Sequence, residues 1–457
     1  MRSETKNEKI RRIFNADDFG DSSIERDVMR LRDKNLSESE KLNKIIRVAE
    51  ERSPRLSLFN EFLSCNVLSQ IINTKIFPKY RKPVVSVAVD HVIKEQFEII
   101  QKMWFSYSDT IKPANVEEVQ TDIDKSQEVL VLGYYFMKHK ETGNNMIFGI
   151  DFIEGFNTGY IAMYTNEGDS KIASKVMKDI IFWARNNNFL KNKKIDTNGR
   201  FLKLDGTKME DVILKEEIKN RIKSGTIDML ANVEKYKKNN LPIKRGILME
   251  GEPGTGKTLL AKALAQEIES TFIWVTADDV TYPSDVSYIY DMARELSPTV
   301  VLFEDIDYIG KDREGYSGSF DKITGELLNQ LDGVQSNEGI ITLASSNYPK
   351  ALDKALRNRP GRFDIRVRFE LPDSVLREKM LIKFFGPTDI SDLDMPDMVE
   401  KSDGYTGAYI KELVVATVML AVTKESTMED GTAIVKKEFF EEAFNQLEES
   451  RNLDDKE

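Results

Sequence analysis

Cysteine and histidine are nearly missing from this chain, with one and two copies in 457 residues. The lone Cys65 cannot close an internal disulfide, which fits a reducing, cytoplasmic setting. His91 and His139 stand far apart and no H-E-x-x-H occurs, so zinc-peptidase chemistry has no ligand set within these residues. Long hydrophobic runs are missing too. The longest, Val414 to Val422, contains a threonine and is far shorter than a bilayer requires, so no membrane span is expected. Residues 1–12 are charged and carry no apolar segment of the kind a secretory signal needs. Nor is there an excess of basic charge. The net charge is −11, and from Gly206 onward 33 Lys and Arg face 47 Asp and Glu, a local −14. Residues 1–205 keep 33 basic against 30 acidic residues, a net +3. The acidic half argues against a broad nucleic-acid surface, while the near-neutral half leaves that question open.

What is present describes a globular protein, 40% hydrophobic and 31% charged, long enough for two or three cores. Residues 1–75 mix charges densely. Ser37-Glu38-Ser39-Glu40 forms a capping-box pattern ahead of Leu42, Ile45, Ile46 and Ala49, and the first 35 residues read as a loosely ordered arm. Residues 76–205 read as a small α/β domain that selects a substrate or partner. Its expected elements begin with a strand at 84–89 and a helix capped by Asp90 that runs through Phe97, Ile100 and Trp104. A hairpin follows, pairing 129–139 with 145–152 around Glu141-Thr142-Gly143-Asn144. A strand at 160–164, a helix at 170–189 with Ile172, Val176, Ile180 and Trp183 inward, and a strand at 200–204 complete it. Tyr134, Tyr135 and Phe136 fit the alternation of a half-buried strand better than a docking surface. Asp205-Gly206 marks the expected boundary.

Beyond it stands Gly251-Glu252-Pro253-Gly254-Thr255-Gly256-Lys257-Thr258, which fits G-x-x-x-x-G-K-[ST]. Residues 246–250 read as a buried strand before it, and Leu259, Leu260, Ala263, Leu264 and Ile268 recur at helical spacing after it. Such a loop aims backbone N–H groups and a helix N-terminus at a polyphosphate. Lys257 adds a positive charge near the terminal phosphates, and the Thr258 hydroxyl suits Mg²⁺, so ATP and Mg²⁺ are the expected cofactors. Val300-Val301-Leu302-Phe303-Glu304-Asp305 is a buried strand delivering two acids, one for the metal and one for the attacking water. Glu304 takes the metal and Asp305 the water if neighbouring residues on the strand point to opposite sides. The strand at 340–344 ends in Ser345-Ser346-Asn347, and the Asn347 amide suits that same water.

Taken together, residues 206–447 resemble the AAA branch of the AAA+ ATPases. Beyond the P-loop and the acidic strand, the resemblance rests on Asn347 in the sensor-1 place and on residues 352–364 as the second region of homology. Gly404-Tyr405-Thr406-Gly407-Ala408 is similar to the motif of the helical lid. The resemblance implies a P-loop α/β module at 206–370, its parallel sheet flanked by helices, and a helical lid with a tail at 371–457. It implies adenine packing on Val212 and Ile213, with Leu259, Gly407 and Ala408 around the nucleotide. Arg359 and Arg362 match arginine fingers that reach a neighbour's site, and the expected assembly is a homo-oligomeric ring, a hexamer, that remodels or threads protein. Tyr282, and Tyr316 in the loop 311–319, are the candidate pore residues. Two departures stand out. Glu252 replaces the usual proline, and the acids run Glu-Asp instead of Asp-Glu, an order found in the Bcs1-like subgroup. The terminal Leu453-Asp454-Asp455-Lys456-Glu457 lacks the ending by which proteasomal ATPases dock. The alternatives are a nucleic-acid-remodelling ATPase and a nucleotide-gated scaffold with little hydrolysis.

Overall fold

The structure is a computed structural model that describes residues 53–65, 71–106, 110–152, 158–309, 319–332, 337–348 and 362–454. The capping-box helix expected after Ser37 lies outside those residues. The chain divides into two compact units, Met1–Phe189 and Leu190–Glu457.

The first unit is built on an antiparallel sheet of seven strands. They are β1 (Ile71–Pro78), β2 (Phe97–Phe105), β3 (Ile111–Pro113), β4 (Asn115–Asp122), β5 (Lys125–His139), β6 (Asn145–Phe152) and β7 (Thr158–Thr165). The order across the sheet is β1-β7-β6-β5-β2-β3, with β4 also pairing with β5. Strand periodicity sorts the β5 aromatics. Tyr135 and Met137 are buried with the helices Lys82–Gln96 and Ser170–Asn186, whereas Tyr134 and Phe136 pack with Phe59 and Leu63 of the helix Pro54–Leu63. Both faces of the sheet are therefore covered.

Three elements expected between residues 76 and 205 are overturned. Residues 84–89 are helix, not strand, and Phe97–Phe105 is strand, not helix. Val84, Val85, Val87, Ala88, Val89, Val92 and Ile93 are all buried, so the run is apolar around most of its circumference and its β-branched residues carry no strand information. Pro83 fits the helix's first turn. Asp90 lies inside that helix, where Gln127 Nε2 (2.9 Å) and Lys94 Nζ (2.6 Å) bind its carboxylate. The strand expected at 200–204 is instead β8, Lys194–Asp196, and Phe201 adds only a single bridge to Ile195. Strand β8 pairs in parallel with the strand Thr271–Val275 and so belongs to the second unit, which begins at Leu190, upstream of Asp205.

In that unit β9 (Lys244–Gly251), β10 (Thr271–Val275), β11 (Thr299–Phe303), β12 (Ile340–Ser346) and β13 (Ile365–Phe369) join β8 in a parallel sheet. Its order is β13-β9-β12-β11-β10-β8. Strands β11 and β12 are buried along their whole length, as expected of a sheet covered on both faces. Register aligns Phe303 with Ala344 and Ser346 with Glu250, so Gly251, Glu304 and Asn347 leave the sheet together at its carboxyl edge. Four helices follow: Ser374–Phe385, Met395–Lys401, Gly407–Thr423 and Lys437–Asp454. Leu381, Ile410, Leu413, Phe440 and Ala443 form their core, and Ile213 packs against it. Among the described residues no helix is long and apolar enough to cross a membrane.

Candidate functional site

The loop between β9 and the helix Lys257–Glu267 turns on two glycines with left-handed backbone, Gly254 (φ 78°) and Gly256 (φ 101°). A Cβ on Gly254 would come within 2.8 Å of Ala408 Cβ and Thr406 Oγ1. The Ala408 N–H donates to the Gly254 carbonyl at 3.2 Å, so the lid helix begins directly on the loop. A cavity of 630 Å³ opens there. Val212 and Ile213 line it, with Pro253 to Leu259, Asp305, Asn347, Gly407 and Ala408. Met380, Lys383, Phe384 and Lys411 of the C-terminal helices line it too, as do Asp205, Gly206, Thr207 and Asp211, and Lys383 is anchored on the Asp211 carboxylate at 2.8 Å.

Lys257 is buried, and its ammonium donates to the carbonyls of Gly251 (2.7 Å) and Glu252 (2.8 Å). Burial pulls its pKa down, and the charges of Asp305, Asp307 and Glu252 act against that shift. Gly251 and Glu252 contribute these carbonyls but do not line the cavity, and the Glu252 residue is exposed.

The two acids after β11 go to different places. Glu304 accepts from the Thr258 hydroxyl at 2.6 Å through Oε1 and from Trp274 Nε1 at 2.9 Å through Oε2. Asp305 faces the cavity, where Asn347 Nδ2 donates to its Oδ1 at 2.9 Å. Strand parity is not what separates them. The strand ends at Phe303, and Asp305 has left-handed backbone (φ 49°), held by its own N–H donating to Ser345 Oγ at 2.9 Å. Asparagine and aspartate are the side chains that tolerate this conformation best. Burial pushes the Asp305 carboxyl pKa up, the charges of Glu304 and Asp307 add to the rise, and Lys257 and Asn347 oppose it. Asp307 is 1% exposed. One of its oxygens accepts the Asn347 N–H at 3.1 Å, and the other has no hydrogen-bond partner among the described residues.

The remaining expected residues are scattered. Arg362 is buried, and it makes a two-pronged bond to Asp332, Nε to Oδ1 at 2.9 Å and Nη2 to Oδ2 at 2.7 Å. Tyr282 is 65% exposed at the start of the helix Pro283–Glu295. Arg359 and Tyr316 lie outside the described residues. Trp274, Met380, Lys383 and Phe384 were not expected at the site, because none belongs to a contiguous motif and only the fold brings them there.

This donor set fits a nucleoside triphosphate with Mg²⁺. Glycine backbone and a helix N-terminus suit phosphate, and a hydroxyl bonded to a carboxylate suits a hard cation that prefers oxygen ligands. Comparison with known proteins agrees. Residues 247–371 match the family described as ATPase family associated with various cellular activities (AAA). An ATP-dependent zinc metalloprotease FtsH of Caldicellulosiruptor bescii is 36% identical over 225 residues, 47% of this chain and 36% of that protein. FtsH 2 of a Thermoanaerobacter species is 33% identical over 271 residues, 57% of this chain and 51% of that one. A putative cell division cycle ATPase of Plasmodium falciparum is 33% identical over 215 residues, 45% of this chain and 17% of that one. The chain thus spans between about a sixth and a half of these relatives' lengths.

Proposed function

We propose, starting from a chain that carries an AAA ATPase domain, that this protein hydrolyses ATP and uses the turnover to remodel or unfold protein substrates as a homo-hexameric ring. The observation that carries the hydrolytic reading is the division between the reversed acids. Glu304 is bonded to Thr258 on the side where Mg²⁺ belongs, and Asp305 is bonded to Asn347 inside the cavity. Thr258 and Glu304 would hold the Mg²⁺ water shell. Bound there, the ion neutralises charge on the phosphate oxygens. Lys257 exchanges its two loop carbonyls for phosphate oxygens. Asp305 takes the proton of the attacking water, and Asn347 holds that carboxylate and the water in line. The raised pKa of Asp305 suits a group that must accept a proton.

Tyr282 is exposed on the loop after β10 and is the side chain we assign to substrate grip. Arg359 is the finger supplied by a neighbour. Arg362 is tied to Asp332 of its own chain. The antiparallel domain ahead of the motor chooses the substrate. The peptidase activity named for the FtsH relatives is not carried over, since these 457 residues contain no H-E-x-x-H.

Binding and turnover assays on two variants test the reading. Asp305→Asn should keep Mg²⁺-dependent ATP binding and lose turnover by about 10²–10⁴-fold, the usual worth of a general base. Glu304→Gln should weaken the Mg²⁺-dependent part of binding. Normal turnover by Asp305→Asn would misplace the base, and a parent protein without turnover would leave a nucleotide-gated scaffold. Tyr282→Ala should keep basal ATPase activity and stop substrate remodelling; unimpaired remodelling would take Tyr282 out of the pore.

A further inference from the structure

Glu304 has one more rotatable bond than the aspartate usual at its place, and a longer carboxylate can leave the metal side unless something holds it. The Trp274 indole N–H is in position to do so. Trp274 stands on β10, paired in register with Leu302 of β11, two residues before Glu304 in the chain. Its Nε1 donates to Glu304 Oε2 at 2.9 Å, while the Thr258 hydroxyl takes Oε1 at 2.6 Å. Two donors from two elements thus fix the plane of one carboxylate. The division of oxygens matters as well. The indole is a donor only, so it cannot compete as a metal ligand, and it leaves Oε1 beside Thr258. Trp274 itself is fixed, half-buried against the core, with its ring 6.0 Å from that of Phe272.

We propose that Trp274 is a positioning residue for the reversed acid pair, holding Glu304 on the metal side of the site so that glutamate does the work of a shorter acid. The inference rests on the nucleotide reading above. It assigns to the indole hydrogen bond a Mg²⁺-specific contribution that its packing does not make.

The test measures binding of a fluorescent ADP to the full chain across a Mg²⁺ titration, which reads the site without turnover. In the parent, Mg²⁺ should tighten binding. Trp274→Phe keeps the ring and loses the donor, and should raise the half-saturating Mg²⁺ concentration about tenfold, the effect of one hydrogen bond to a charged group. Its nucleotide binding in EDTA should be unchanged. Combined with Glu304→Asp, which shortens the acid, Trp274→Phe should have no further effect on the Mg²⁺ requirement. An unshifted Mg²⁺ requirement in Trp274→Phe, an equal loss in EDTA, or a full additional loss in the double variant would each overturn the proposal. Should Trp274→Phe not fold, a Trp104→Phe/Trp183→Phe chain gives the same decision from Trp274 emission. Mg²⁺ added to the ADP complex should shift that emission when Glu304 is present and not in Glu304→Ala, and equal responses would overturn the proposal. A parent chain that binds no nucleotide, or gains nothing from Mg²⁺, would instead bring down the reading of the site itself.

Discussion

Asp305 must hold a negative charge where burial and two neighbouring carboxylates oppose it, and this has a consequence for stability. Its folded pKa lies above the ordinary carboxylate value, so the folded state binds the proton more tightly than the unfolded chain does. Stability therefore falls as pH rises from the ordinary carboxylate value through the raised one, and the cost persists above it. Asp305→Asn should accordingly melt at higher temperature than the parent at pH 7 without nucleotide, and the gain should vanish in acid below the ordinary value. Thermal melts at several pH values decide this, and a lower melting temperature at pH 7 would mean the charge is not a burden. Asp307 is the rival base by position in the chain, but it is 1% exposed and does not line the cavity. Asp307→Asn should keep more than about a tenth of parental turnover, a far smaller loss than removing a general base causes. The acids themselves were legible because they sit in one contiguous motif. Trp274 was not legible, since its bond to Glu304 depends on the parallel pairing of β10 with β11, which no local spacing encodes.

At the scale of elements, periodicity was informative where one face is buried and silent where burial is all round. The amphipathic helix Ser170–Asn186 could be read directly because its buried residues recur at helical spacing, whereas β5 and β6, buried on successive residues, were legible from the turn Glu141-Thr142-Gly143-Asn144 between them. The helix Lys82–Gln96 could not, because a valine-rich helix buried on most sides and a buried strand have the same composition. Strand β8 escaped notice for another reason: three residues are too few to show any period, and its partner lies about 80 positions downstream. The joint between P-loop and lid was visible only as two separate motifs, and their contact makes a prediction. Gly254 needs left-handed backbone and has no room for a Cβ beside Ala408 and Thr406. Gly254→Ala should therefore distort the loop and push the lid helix away, at a strain of about 1–3 kcal/mol. Nucleotide affinity measured by titration should fall at least about tenfold while the circular dichroism spectrum stays that of the parent. Parental affinity would show that the loop and lid do not need this close approach.

The whole molecule poses a question of reach. Arg362 cannot serve the nucleotide site of its own chain, because its carbonyl lies against Gly246 near the start of β9, whereas the P-loop leaves the other end of that strand. Five residues of strand separate the two, about 17 Å at 3.3 Å per residue. Its side chain is also committed to Asp332. On the ring reading proposed above, Arg359, three residues earlier in the sequence, is the arginine that would meet a neighbour's γ-phosphate. Activity per chain should then rise with protein concentration, and Arg359→Ala should lose about 10³-fold or more in turnover while still binding ATP. Subunit mixing makes the decisive test. Lys257→Ala chains lack a working site but keep the arginine; Arg359→Ala chains keep the site but lack the arginine. Each alone should be nearly inactive. Mixed at concentrations that form rings, they should recover turnover, because some intact sites then stand beside an intact Arg359. Two variants that stay as inactive together as apart would mean that every chain needs its own arginine, and the ring mechanism would have to be abandoned.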